Sequence, residues 1–158
     1  MKIHKKDFTE YEKQLFEQAT KSRDETKYPE AIGLLNELLS IRPDCFEAHL
    51  VIGGIHYETF DYKIATKHFR ESVKLSPKSK IGSLGLFHAL WDSGKEQEAL
   101  KEVDRFLSVS YVEDYEEIVR ELMMRPELAE FRASRELLKT ISVKLNRFSI
   151  GGENGPIE

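Results

Sequence analysis

Residues 28–43, YPEAIGLLNELLSIRP, and residues 62–77, YKIATKHFRESVKLSP, decide the fold because they carry one pattern 34 positions apart. Each stretch begins with a tyrosine, has an alanine three residues later and a large apolar residue four residues after that, and closes with a proline. Ala99 and Val103 continue the alanine and apolar columns at the same step. A fixed period of this length indicates one supersecondary unit repeated along the chain, each copy burying its apolar face on its neighbours.

The period predicts repeats at residues 12–45, 46–79 and 80–113, each long enough for two antiparallel helices. The alanines are expected where two helices touch closely, and the large apolar residues beside them are expected to fill the core. The predicted fold class is therefore all-α. At least six helices should form within one helical domain that spans residues 1–148.

Local signals place the first helices of the repeats near residues 8–23, 45–58 and 79–92. Asp7 with Glu10 three residues later resembles an N-terminal capping pair. Asp44 with Glu47 has the same spacing and predicts the start of the next first helix. The second helices are predicted to begin at Pro29, after Asp61, and after Gly94, a residue that suits a left-handed helix end.

The repeat pattern weakens after residue 113 but does not vanish. Ala133 falls 34 residues after Ala99, whereas Glu121 occupies the position of a small residue. Residues 114–148 are therefore predicted to form a degenerate helix pair that caps the stack, since a terminal repeat must present one face to water. Residues 149–158 are rich in turn-forming residues and are predicted to be a flexible tail.

Residues 12–113 resemble the tetratricopeptide repeat family, in which each repeat has a small residue in its first helix and an alanine in its second. Ala19 and Gly53 fill the first-helix position. The third repeat departs from the family pattern, because Phe87 falls at the small position, Glu96 replaces the aromatic and Tyr111 replaces the proline. The resemblance implies a right-handed α-solenoid of antiparallel helix pairs.

Composition argues against several classes of partner. The chain has 158 residues with 24 basic and 28 acidic side chains, a net charge of −4, which gives no general electrostatic basis for binding nucleic acid or anionic membranes. No apolar run is long enough to cross a bilayer, and no secretory signal is evident. The single cysteine, Cys45, cannot form an internal disulfide. These features favour a cytoplasmic location.

No catalytic motif, cofactor or metal site is predicted. His49 and His56 lie two turns apart on one predicted helix, too far apart to bind one metal ion together. Cys45 lies beside a predicted helix N-terminus, which would lower the pKa of its thiol, although an inert thiol is the simpler interpretation. An enzyme with an unrecognised site remains the rival class of function.

The family resemblance implies a concave surface lined by the first helices of the repeats. Tyr57 and Trp91 lie one repeat apart and could anchor an apolar peptide or helix of a partner protein; the alternative is that they pack in the core. The predicted groove consists of Phe16, Thr20, Arg23, Leu50, Gly54, Tyr57, Glu58, Leu84, His88, Trp91 and Asp92.

The predicted function is a non-catalytic protein-interaction module or scaffold. A dedicated small partner, such as a secretion-type chaperone or an immunity or antitoxin protein, is the alternative. Some family members grip a partner's terminal carboxylate with basic and amide side chains. The corresponding positions here are Phe16, Thr20, Val51, Ile81 and Gly85, none of which can form a charge-assisted bond to a carboxylate. Binding to chaperone tails is therefore not expected, and the oligomeric state stays open.

Overall fold

The computed structural model describes residues 8–125 and 132–150, with side chains in the last helix for residues 134–148. Helices and turns fill these ranges, and no strand occurs within them. In chain order the helices are α1 (Glu10–Asp24), α2 (Tyr28–Ile41), α3 (Phe46–Glu58), α4 (Tyr62–Leu75), α5 (Lys80–Asp92), α6 (Glu96–Leu107), α7 (Glu113–Met123) and α8 (Arg132–Ile150). The chain divides into two compact units, Met1–Ala89 and Leu90–Glu158.

The first unit is built from antiparallel helix pairs. Near the start of α1, Tyr11 donates a hydrogen bond to Glu37 near the end of α2, and Glu12 pairs with Arg42 just beyond α2. In the second pair, His49 near the start of α3 meets His68 in the second half of α4. These contacts confirm two of the predicted helical hairpins.

The alanine column lies inside the packed helices. Ala31, Ala65 and Ala99 are each fully buried, as the 34-residue period predicts. The large apolar residues four positions after each alanine, among them Phe69 in α4 and Val103 in α6, are also buried. The sequence register of the repeats is therefore correct.

The first helix of each repeat ends in the same left-handed turn. Thr26, Phe60 and Gly94 have φ values of 58°, 62° and 75° and are again 34 residues apart. In each turn the next amide donates to a carbonyl five residues earlier, at 2.8 to 2.9 Å, which is the pattern of a Schellman helix end. The prediction for Gly94 is confirmed, and two non-glycine residues adopt the same backbone.

In the described residues, the N-terminal caps of α1 and α3 differ from the two predicted capping pairs. Thr9 caps α1, since its hydroxyl accepts from the Glu12 amide at 3.3 Å while the Glu12 carboxylate accepts from the Thr9 amide at 2.6 Å. Asp7 lies outside the described residues. For α3 the N-terminal cap residue is Cys45, which makes no side-chain capping bond, so the Asp44 prediction is wrong. The first of these helices begins two residues later than predicted, at Glu10, and α3 begins one residue later, at Phe46.

Phe69 fills the space between α3, α4 and α5. Its ring lies so close to Gly53 that an added Cβ there would be 3.0 Å away, and at Gly85 an added Cβ would be only 2.5 Å away. Gly53 thus occupies the small position predicted for α3. In α5 the close approach is made by Gly85, whereas Phe87 is itself buried.

The second unit contains α6, α7 and α8. Tyr115 of α7 is fully buried and its ring meets Phe106 of α6 edge-on, with centroids 5.7 Å apart. Lys144 of α8 pairs with Asp104 of α6. The predicted helix pair after residue 113 is therefore present as α7 and α8. The backbone is helical up to Ile150, whereas residues 151–158 of the predicted tail lie outside the described residues.

Candidate protein-binding groove

The α1 part of the predicted groove differs most from expectation. Phe16 is only 7% exposed, because Phe8 packs against it edge-on with ring centroids 6.2 Å apart. Thr20 and Arg23 are half-buried, and Arg23 pairs with Asp24 at 2.7 Å. Phe16 thus belongs to the core, where Phe8, which precedes the first repeat, covers it.

The α3 part presents an apolar face that is only partly covered. Leu50, Gly54 and Tyr57 are half-buried and follow the spacing of one helix face. Nothing lies within 4 Å of the position that a Cβ on Gly54 would occupy. The surface beside Gly54 is therefore open enough for another chain to approach the α3 backbone.

Three aromatic side chains gather at the end of α3, and together they form an aromatic cluster of Tyr57, Phe60 and Tyr62. The rings of Tyr57 and Tyr62 have centroids 5.5 Å apart, and Phe60 meets Tyr62 edge-on at 6.3 Å. Phe60 is 78% exposed. Phe60 is not among the predicted groove residues, although an aromatic residue where a helix-ending glycine is usual is a signal of such a site.

Glu58 extends the polar edge of the same helix end. It is exposed, and the Tyr28 hydroxyl donates a hydrogen bond to Glu58 Oε2 at 2.8 Å. This hydrogen bond raises the pKa of Tyr28 above its usual value. The bond links the start of α2 to the end of α3 beside the aromatic cluster.

The α5 part repeats the α3 spacing. Leu84 is half-buried, His88 is exposed, and Trp91, the single tryptophan of the chain, is half-buried. Asp92 ends the helix and is exposed. Trp91 and Asp92 belong to the unit Leu90–Glu158, whereas the other predicted groove residues belong to Met1–Ala89.

The titratable groups outside the groove agree only in part with the sequence-based interpretation. Burial raises the pKa of the Cys45 thiol to about 12, which contradicts the lowered pKa that was considered and agrees with the simpler interpretation of an inert thiol. His49, His56 and His68, which look scattered in sequence, lie together between α3 and α4. Their proximity depends on the register of that antiparallel helix pair, which the sequence pattern does not give.

No protein-family model and no curated protein sequence matches the chain. Solved structures match it by shape. The type III secretion chaperone SycD of Yersinia enterocolitica, in complex with a peptide of the translocator YopD, is 17% identical, with a TM-score of 0.59 over 87% of this chain and 97% of that one. The first tetratricopeptide domain of Spaghetti (RPAP3), bound to the HSP90 peptide SRMEEVD, is 16% identical, with a TM-score of 0.60 over 88% and 96%.

The tetratricopeptide domain of Sgt2 from Aspergillus fumigatus is also similar, with 16% identity and a TM-score of 0.59 over 95% of this chain and 89% of that one. These similarities confirm the all-α, tetratricopeptide-like fold that the 34-residue period predicts. Among the described helices, none has the length and apolar character that a bilayer span requires.

Proposed function

We propose that this chain is a non-catalytic module that binds a peptide or helix of a partner protein along the first helices of its repeats. The observation that carries the proposal is the half-buried apolar face of α3, formed by Leu50 and Tyr57 on either side of the open surface at Gly54. Aromatic anchors beside accessible backbone are well suited to hold an extended or helical segment.

The similar structures support this proposal through what they bind. SycD holds a peptide of YopD, and the Spaghetti domain holds a peptide of HSP90. In this chain, Leu84 and His88 would extend the contact along α5, and Trp91 is a further candidate anchor later on the same helix. We place the module in the cytoplasm, in keeping with its composition and its single cysteine.

The bound segment is not expected to be a chaperone tail held by its terminal carboxylate. At the positions that serve this purpose in the family, Phe16 and Val51 are buried and apolar, and Ile81 is exposed and apolar. A carboxylate there would lose water without gaining a cationic partner. The groove therefore favours apolar contacts with the side chains of the segment.

The similarity to SycD favours one alternative, in which the chain is a dedicated secretion-type chaperone for a single partner. The physical site would be the same groove. The two functions differ in the number of partners. A dedicated chaperone, captured from its native cell, would bring down one protein in stoichiometric amount, whereas a general module would bring down several.

The groove can be tested with a matched pair of glycine variants. Gly54 and Gly33 both lie inside helices, and both have no atom within 4 Å of an added Cβ, so glutamine at either position should improve helix propensity. We expect Gly54→Gln to obstruct the groove and Gly33→Gln, on α2, to leave it open. Affinity capture with the wild type and both variants, followed by identification of the bound proteins, measures the difference.

The expected result is a partner that the wild type and Gly33→Gln recover and that Gly54→Gln loses. Tyr57→Ala and Trp91→Ala should each weaken that partner's affinity by about 2 kcal/mol if they are anchors. Circular dichroism of each variant must show unchanged helical content. A partner retained equally by Gly54→Gln and by the double variant of Tyr57 and Trp91 would show that another surface binds it.

A further inference from the structure

The histidines of α3 and α4 form a cluster that the proposed groove does not use. His49 and His68 face each other with their Nδ1 atoms 3.0 Å apart and their ring centroids 5.2 Å apart. His56 lies nearly parallel to His68, at an interplanar angle of 13° and a centroid distance of 6.3 Å. Two ring nitrogens thus lie within hydrogen-bonding distance of each other across the helix pair.

The spacing of these two nitrogens suits a shared metal ion. Imidazole nitrogens bind zinc at about 2.0–2.1 Å, so two of them on one ion are roughly 2.9–3.4 Å apart when they subtend an angle of about 90–110°. The observed 3.0 Å lies within that range. Without an ion, a hydrogen bond between these two atoms requires one ring to carry its proton on Nδ1. For both Nδ1 atoms to bind an ion, that ring must take the tautomer with its proton on Nε2.

Glu71 and Lys67, both on α4, are the charged side chains that act on both rings. Both imidazoles are half-buried, so solvent and ions can reach them.

One more group borders the cluster. Asp61 Oδ2 lies 3.9 Å from His56 Nδ1. In the part of the chain that the structure describes, no set of three or more histidine, cysteine or carboxylate groups surrounds one ion position.

We propose that His49 and His68 bind a late first-row divalent ion such as Cu²⁺, Ni²⁺ or Zn²⁺ between α3 and α4, with water in the remaining coordination positions. Paired imidazoles suit these ions, whereas Mg²⁺ prefers oxygen ligands. An ion held by both helices stabilises the first unit by mass action, since the unfolded chain does not hold the two rings together. This inference stands whether or not the groove binds a protein.

The test uses the full chain with Cu²⁺, Ni²⁺, Zn²⁺ and Mg²⁺ as separate probes. Calorimetric titration gives the affinity, and thermal unfolding gives the stabilisation. We expect Tm to rise with the first three ions, most strongly with Cu²⁺, and not with Mg²⁺. His49→Gln and His68→Gln should each weaken binding by about tenfold or more. His88→Gln removes an exposed histidine on another helix and should leave metal affinity unchanged.

Paramagnetic NMR tests the site in the wild type and therefore does not depend on whether the variants fold. Substoichiometric Cu²⁺ should broaden the ring signals of His49 and His68 in the wild type before those of His88. The inference is overturned if the wild type binds none of the three ions, if both folded variants bind as well as the wild type, or if His88 broadens first. A loss as large in His56→Gln as in His68→Gln would overturn the two-ligand assignment.

Discussion

At the scale of single residues, the most constrained polar contact joins Glu12 of α1 to Arg42. Glu12 is only 3% exposed, and its two carboxylate oxygens accept from Arg42 Nε and Nη2 at 2.8 and 2.9 Å. Arg42 also lies over the ring of Phe8, 5.0 Å from its centroid. The hydrogen bonds from Arg42 lower the pKa of Glu12 to about 2, so the pair closes the first helix hairpin in its charged form.

Glu12→Gln should lower the free energy of unfolding at pH 7 by on the order of 3 kcal/mol, because Arg42 keeps its buried position but loses its charged partner. Chemical denaturation measures this change. Glu10→Gln, at an exposed position on the same helix, should change stability by less than about 0.5 kcal/mol.

The same pair predicts a pH dependence. The folded pKa of about 2 lies below the ordinary value of 4.5, so the stabilisation is complete above pH 4.5 and is lost as the pH falls toward 2. The difference between wild type and Glu12→Gln should therefore narrow over that window. A difference that stays constant down to pH 2 would contradict the assignment.

Residue-scale features were the hardest to predict from sequence. The repeat pattern places Phe16 on the groove face, but Phe8, which lies before the first repeat, covers it. The pattern also cannot pair His49 with His68, because their contact depends on the angle and offset between α3 and α4. To predict which side chains are buried near the chain end, or which residues touch across a helix pair, one must know how the helices pack in three dimensions.

At the scale of elements, the packing of α5 on α4 depends on a glycine. The ring of Phe69 is held between Gly53 of α3 and Gly85 of α5. It cannot shift away from one helix without moving into the other. Gly85 therefore allows the two helices to pack closely, and its replacement should lower the stability of the whole first unit.

Gly85→Ala should destabilise the chain by about 1–3 kcal/mol, because the added methyl would lie 2.5 Å from the Phe69 ring. Gly33→Ala is the matched control, since it adds a methyl inside α2 with nothing within 4 Å and should stabilise by up to about 1 kcal/mol. Denaturation midpoints of the two variants should move in opposite directions. Equal shifts would mean that α5 adjusts to the methyl without cost.

Most elements were predictable because their determinants are periodic. The 34-residue step located α1 to α6 within a few residues, and the predicted turn at Gly94 has its expected left-handed backbone. The capping residues were less predictable, because Asp7, Thr9 and Asp44 all have suitable side chains. The choice among them depends on where the incoming chain turns, as the cap at Thr9 shows.

At the scale of the whole molecule, α7 and α8 are predicted to cap the repeats. Within the second unit Tyr115 covers Phe106, and α8 packs its buried Leu138, Ile141 and Leu145 inward. Val103 of α6 is also fully buried. Without the last two helices, α6 would present a continuous apolar surface to water.

Truncation after Ser110 should therefore cause aggregation or loss of cooperative unfolding. Truncation after Ile150 is the control, since it keeps all eight described helices. Light scattering and thermal denaturation compare the two fragments with the full chain. A soluble shorter fragment that melts as the full chain does would show that α7 and α8 are an appendage.

The position of the single tryptophan gives the molecule a built-in optical reporter. Trp91 lies in the unit that begins at Leu90, so its fluorescence emission follows the loosening of that unit, whereas far-ultraviolet circular dichroism follows helices in both. Coincident transitions by the two signals would mean that both units unfold in one cooperative step. Separate transitions would give each unit its own denaturation curve without any label being attached.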